Sequence, residues 1–144
     1  MKKFISLTTT VLALSNLTFG QECDSLVNIC YKQLTVDSRS GKAFISDGQV
    51  YQAFVDAEQS AEFKVTLYGG STYRIATTAG TGDDYVIFNV YDQNHTLLFS
   101  NSGYENHPYW DFKIDNTLDV YIEAYLDLDK KVSGCLVVLI GFQK

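Results

Sequence analysis

The chain has 144 residues, of which 46% are hydrophobic and 14% aromatic, and its formal net charge is −6. An acidic balance of this size argues against electrostatic binding of nucleic acid or of an anionic membrane surface, and leaves partners that are neutral, cationic or bridged by a metal. One hydrophobic core is what this length supports.

In chain order, residues 1–20 read as a secretory signal peptide. Lys2-Lys3 is followed by an apolar segment from Phe4 to Leu17 diluted with Ser and Thr, then by Thr18-Phe19-Gly20. The apolar core is too short and polar for a membrane span, and cleavage after Gly20 is predicted. No Leu-x-x-Cys pattern precedes Cys23, so a lipid anchor is not expected. Cleavage removes Lys2 and Lys3, leaves 124 residues and moves the charge from −6 to −8. The predicted destination is the periplasm or the exterior, with no membrane insertion after cleavage.

Residues 21–47 are predicted to pack as an N-terminal segment on the domain that follows. Cys23, Leu26, Val27 and Cys30 fall at i, i+3, i+4 and i+7, so a short helix over Cys23–Tyr31 is consistent with the spacing, although Val27 and Ile29 would serve equally in a strand. The mature part holds three cysteines, Cys23, Cys30 and Cys135. On a helix, Cys23 and Cys30 lie about 10 Å apart and cannot bond to each other, so one of them is expected to reach Cys135. Cys30–Cys135 is the favoured pairing. It would close a loop of about a hundred residues, worth ~4 kcal/mol in the chain-entropy picture. Three reduced, buried thiols are the alternative.

Residues 48–144 read as strands. Ala43-Phe44-Ile45 suggests a short edge strand, and Gln49–Val55 a further one with Tyr51, Ala53 and Val55 on one side. Phe63, Val65 and Leu67 alternate with Lys64 and Thr66, the period of a half-buried strand. Gly69-Gly70 then predicts a hairpin turn into Thr72–Ala76, with Tyr73 and Ile75 pointing one way. Tyr85–Tyr91 is apolar or aromatic on both faces and is expected to be the most buried strand. Asp92-Gln-Asn-His95 turns the chain into Thr96–Ser100, and Pro108 opens Tyr109–Ile114, with Trp110, Phe112 and Ile114 inward. Asp119–Tyr125 places Val120, Ile122 and Ala124 opposite Tyr121, Glu123 and Tyr125, and Gly134–Phe142 is a continuous apolar strand. About eight strands without βαβ alternation predict an all-β fold, an antiparallel jelly-roll-like β-sandwich.

The order FKVTLYGGSTYRI, GDDYVIFNVYD, LLFSN, YWDFKI, DVYIEAYL, GCLVVLIGF resembles the bacterial pre-peptidase C-terminal (PPC) domains and the related collagen-binding domains. An F-x-V-x-L strand, a glycine, an x-Y-x-I strand and an acidic loop, Gly82-Asp83-Asp84, before Val90-Tyr91-Asp92 carry the likeness over roughly residues 48–142. The resemblance implies a jelly-roll-like sandwich that binds a matrix polymer or assists a partner, here without the catalytic domain such modules accompany. It also implies calcium in some members, through an acidic segment in the region of Asp37 and Asp47.

Tyr85, Tyr91, Tyr121 and Tyr125, with Tyr104 and Tyr109, fall on outward or loop positions. A tyrosine stripe of this kind suits stacking on sugars or on a protein's apolar surface. Asp83, Asp84, Asp127 and Asp129 are candidate calcium ligands, yet either pair supplies far fewer than the roughly six to eight oxygens Ca²⁺ takes, and solvated turn carboxylates are the simpler reading. His95 and His107 lack zinc-site spacing, and no G-x-S-x-G element supports a triad. The predicted function is therefore an exported, non-catalytic module that binds a carbohydrate or an extracellular or periplasmic protein, with no cofactor unless calcium. The alternatives are a small hydrolase, signalled by His95, Glu105 and His107 clustering with an aspartate, and a calcium-stabilised structural module.

Overall fold

The computed structural model describes residues 19–36, 41 and 43–143, with side chains from Cys23 onward. Residues 1–18 of the expected leader, and Asp37, lie outside the described residues. The elements run α1 (Phe19–Thr35), β1 (Ile45–Asp56), β2 (Ser60–Leu67), β3 (Ser71–Thr78), β4 (Val86–Tyr91), β5 (Leu97–Ser100), a 3-10 turn (Asn101–Tyr104), β6 (Tyr109–Ile114), β7 (Leu118–Leu126) and β8 (Ser133–Gln143). Two four-stranded antiparallel sheets, ordered β1-β8-β3-β6 and β2-β7-β4-β5, face each other. The pairs β1 with β8, β2 with β7, β3 with β6 and β4 with β5 nest inside one another, which is the jelly-roll arrangement. Between the sheets, Val55, Ile75, Phe88, Ile122, Leu136, Val138 and Ile140 form the principal core. The alternations in β1, β6 and β7 place the expected side chains inward.

Three expectations about these strands are corrected. Gly69-Gly70 is not a hairpin turn, because β2 pairs with β7 while β3 pairs with β6 and β8. Gly70 has φ +90°, as a tight turn needs, but the turn is a corner that carries the chain from one sheet to the other. Its amides are held by β6 and the segment after it: Gly69 N–H donates to Thr117 Oγ1 at 3.0 Å and Gly70 N–H to Ile114 O at 2.8 Å. Ile45 and Gln49–Val55 belong to one strand, β1, whose register shifts between Ser46 and Val50 around Gly48 at φ +85°. The most buried strands are β3 and β8 rather than β4, because α1 covers the outer face of their sheet.

The helix exists and is longer than expected. Its stripe of Cys23, Leu26, Cys30 and Leu34 lies on Ala76 of β3 and Cys135, Val137 and Leu139 of β8, with Phe44 closing a second core. α1 follows β8 in the same direction: Cys23 meets Cys135, Cys30 lies beside Val137, and Leu34 rests on Gly141. A Cβ at Gly141 would stand 2.8 Å from Leu34 Cδ1, so the absence of a side chain there lets the helix approach. The disulfide is Cys23–Cys135, not the favoured Cys30–Cys135, and Cys30 is a buried free thiol. The helix direction over the sheet decided which cysteine reached the start of β8, and seven-residue spacing carries no information about that direction.

Candidate functional site

The sheet β2-β7-β4-β5 has no helix on its outer face among the described elements, whereas α1 caps the opposite sheet. With Val120, Ile122, Ala124 and Leu126 of β7 turned into the core, Asp119, Tyr121, Glu123 and Tyr125 face outward. Register then sets their neighbours. On one side Ser60, Glu62, Lys64 and Thr66 of β2 oppose Tyr125, Glu123, Tyr121 and Asp119; on the other, Ile87, Asn89 and Tyr91 of β4 oppose Tyr125, Glu123 and Tyr121. Three of the four singled-out tyrosines, Tyr91, Tyr121 and Tyr125, thus share one face.

The ladder is partly tied together. Asn89 Nδ2 donates to Glu123 Oε1 at 3.1 Å, and the Tyr91 hydroxyl lies 3.4 Å from the same oxygen. Loss of solvation, then the Glu123 charge, raises the Tyr91 phenol above its ordinary pKa. Asp119 accepts from Thr66 Oγ1 at 2.5 Å and from Gln93 Nε2 at 2.9 Å. His95, held at φ +59° in the β4–β5 turn, stacks on Tyr121 at 5.2 Å and 18°, and Lys64 Nζ lies 6.0 Å from the same ring.

Tyr85 does not join this face. It folds against its own loop and the core, so close to Gly82 that a Cβ there would lie 2.4 Å from its ring. Tyr104 and Tyr109 also leave the stripe: Tyr104 packs on Phe99 and Trp110, and Tyr109 lies over the Arg74 guanidinium at 4.2 Å.

A second feature is a cleft of about 800 Å³ at one end of the sandwich, lined by Asp83, Asp84, Glu105, His107, Asp127 and Lys130 among others. Asn101, behind the cleft, anchors the loop that supplies Asn106 and His107 to it. β5 pairs with β4 only over Asn89–Tyr91, and beyond that point the fully buried Asn101 side chain replaces the missing strand. It accepts from Phe88 N–H at 2.8 Å and donates to Val86 O at 2.9 Å and His107 O at 3.1 Å.

Of the four candidate metal ligands, Asp83, Asp84 and Asp127 line this cleft, Asp83 from an exposed position, and Asp129 is exposed outside its lining. Lys130 Nζ sits 2.7 Å from Asp84 Oδ2 and 3.9 Å from Asp127 Oδ2, where a shared cation would sit, and Asn106 Nδ2 donates to Asp127 Oδ2 at 2.8 Å. The Lys130 hydrogen bond holds the Asp84 carboxyl below its usual range. Among the described residues no group of three or more His, Cys, Asp or Glu is arranged to hold a metal ion. His107 turns Nδ1 to Tyr109 O at 2.8 Å, His95 lies on the tyrosine face instead, and among the described residues no Ser, Thr or Cys lines the cleft.

No family model matches the chain, and no curated protein matches it. Among solved structures it is similar to the crystal structure of Aeromonas hydrophila PliG, a periplasmic lysozyme inhibitor of g-type lysozyme, with a TM-score of 0.52 and 12% identity over 75% of this chain and 93% of that one. At that identity the likeness is one of fold.

Proposed function

We propose that this protein is an exported, non-catalytic β-sandwich that binds a protein partner outside the cytoplasm through the outer face of β2-β7-β4-β5. One observation carries the reading: three half-buried tyrosines share a sheet face that no described element covers. A protein partner is favoured over a glycan because the Tyr121 ring already has His95 stacked on it, whereas sugar stacking needs an open ring. Fold likeness to a periplasmic inhibitor of an enzyme and a disulfide suited to an oxidising compartment are consistent with it. The relation to PPC domains is proposed on motif order alone.

The test is retention on immobilised protein of a g-type lysozyme, compared with peptidoglycan, chitin and collagen. Retention of the enzyme, with the double variant Tyr121→Ala/Tyr125→Ala weakening it about tenfold or more, supports the reading. Retention of a polysaccharide alone overturns it.

A further inference from the structure

Glu62 and Glu123 stand directly opposite each other across the β2–β7 pair, on the uncovered face. Like charges in this position destabilise a sheet. Among the described residues neither glutamate has a cation within ion-pair distance, even though Lys64 is two residues from Glu62 and diagonal to Glu123. The lysine is directed instead at the Tyr121 ring. Tyr125 and Tyr121 flank the carboxylates along β7, so the two charges lie between aromatic rings. Beyond Tyr125 the face ends in an apolar notch of about 310 Å³ lined by Ile87, Tyr125, Leu126 and Leu128, with Glu58 and Asp127 also contributing.

Resting on the binding-module reading above, we propose that this face receives an arginine or lysine side chain of a basic protein. The cationic head lies between Glu62 and Glu123 and the aliphatic stem against Tyr125 and the notch. The charge complementarity is local and global. The outward residues of β2 and β7 carry Glu62, Glu123 and Asp119 against the single Lys64, and the whole chain is at −6. A guanidinium suits the site best, because it offers donors to both carboxylates in one plane while its π face rests on a tyrosine. The bound cation removes the cross-strand repulsion, so the sheet gives up on folding what the partner returns on binding.

Titration of the isotope-labelled full protein with a tetra-arginine peptide, followed by amide chemical shifts, locates the site. Shifts centred on Glu62, Tyr121, Glu123 and Tyr125, and a dissociation constant about tenfold weaker in Glu62→Gln/Glu123→Gln, are expected. Shifts centred on Asp83, Asp84 and Glu105, no shifts, or unchanged affinity in the variant overturn the proposal. The variant is not expected to misfold, since Glu123→Gln keeps an acceptor for Asn89 and Glu62→Gln relieves repulsion: the melting temperature of Glu62→Gln equals or exceeds that of the parent, and a fall removes the premise. If immobilised protein and the double variant retain g-type lysozyme equally, this inference falls while the binding-module reading stands. Shifts at the glutamates with no protein retained would leave the cation site and remove that reading.

Discussion

Arg74 is the residue on which the helix and the sheet depend together. It is fully buried at the centre of β3, with Nε and Nη2 on the Asp111 carboxylate at 2.6 and 3.0 Å. Nη1 donates to Gln33 O at 3.2 Å, to Leu34 O at 3.4 Å and to Val36 O, satisfying carbonyls at the end of α1 that have no partner within the helix. The Phe44 and Tyr109 ring centroids lie 4.4 and 4.2 Å from the guanidinium carbon. Arg74→Ala leaves a carboxylate and several carbonyls unpaired, and is expected to cost about 3–5 kcal/mol in a urea melt. Arg74→Lys recovers little of this, because an ammonium cannot span the carboxylate and the helix end at once; full recovery would show the planar fork to be dispensable. The sequence marks Arg74 only as outward from the sandwich, because it alternates with Tyr73 and Ile75. Period-2 alternation names a face without saying what covers it. Asn101 escapes notice for a related reason, since an Asn in a loop rich in Asn, Ser and Gly looks like any turn residue until its bonds to β4 are seen.

Cys30 is also set by its surroundings. Its thiol lies 3.3 Å from Ala76 O, and burial raises its pKa from 9.0 to about 12. The folded state therefore holds the proton more tightly than the unfolded one. That contribution is complete below pH 9 and is lost as pH rises from 9 towards 12, at up to about 1.4 kcal/mol per pH unit. The expected outcome is an alkaline fall in melting temperature that is shallower in Cys30→Ala; identical limbs would remove Cys30 as its source.

At the scale of elements, the strands were legible and their partners were less so. β6 and β7 declare themselves by alternation and β8 by its unbroken apolar run, because each signal is local to the strand that carries it. Whether Gly69-Gly70 makes a hairpin or a corner depends on where β7 and β8 lie, which a turn signal does not encode. The same limit governed the cysteines. Cys23–Cys135, separated by 112 residues, fastens the start of α1 to the start of β8 and is expected to contribute about 4–5 kcal/mol. Cys23→Ser/Cys135→Ser should lower the melting temperature under oxidising conditions and make it insensitive to reductant. A Cys30→Ser/Cys135→Ser pair with the same insensitivity would be explained by loss of Cys135 alone, so the single variants separate the two pairings: Cys30→Ser keeps the reductant-sensitive melting temperature and Cys23→Ser loses it.

For the whole molecule, the two sheets differ in what they face. One outer face is consumed by α1 through Arg74, Gly141 and the disulfide, which makes it part of the interior. The other keeps its tyrosines, Asp119 and Glu123 at half burial and Glu62 and Lys64 exposed, and the sequence foretold that tyrosines would be outward there without telling which of them would meet. Tyr91, Tyr121 and Tyr125 converge because β4 and β7 are neighbours in register, and Tyr85 departs because it precedes the pairing. Raised ionic strength is therefore expected to weaken partner binding at the open face while leaving the helix-capped face intact.

The position of β8 also imposes an order of events. The last strand in the described chain inserts between β1 and β3, closing the core and presenting Cys135 to Cys23. Until it arrives, β1 has no partner strand among the described elements and α1 lacks most of its platform, so neither the helix-covered sheet nor the second core can close. Completion of this fold is thereby tied to a contact that spans 112 residues, and a chain held short of β8 has neither the platform for its helix nor the partner for Cys23.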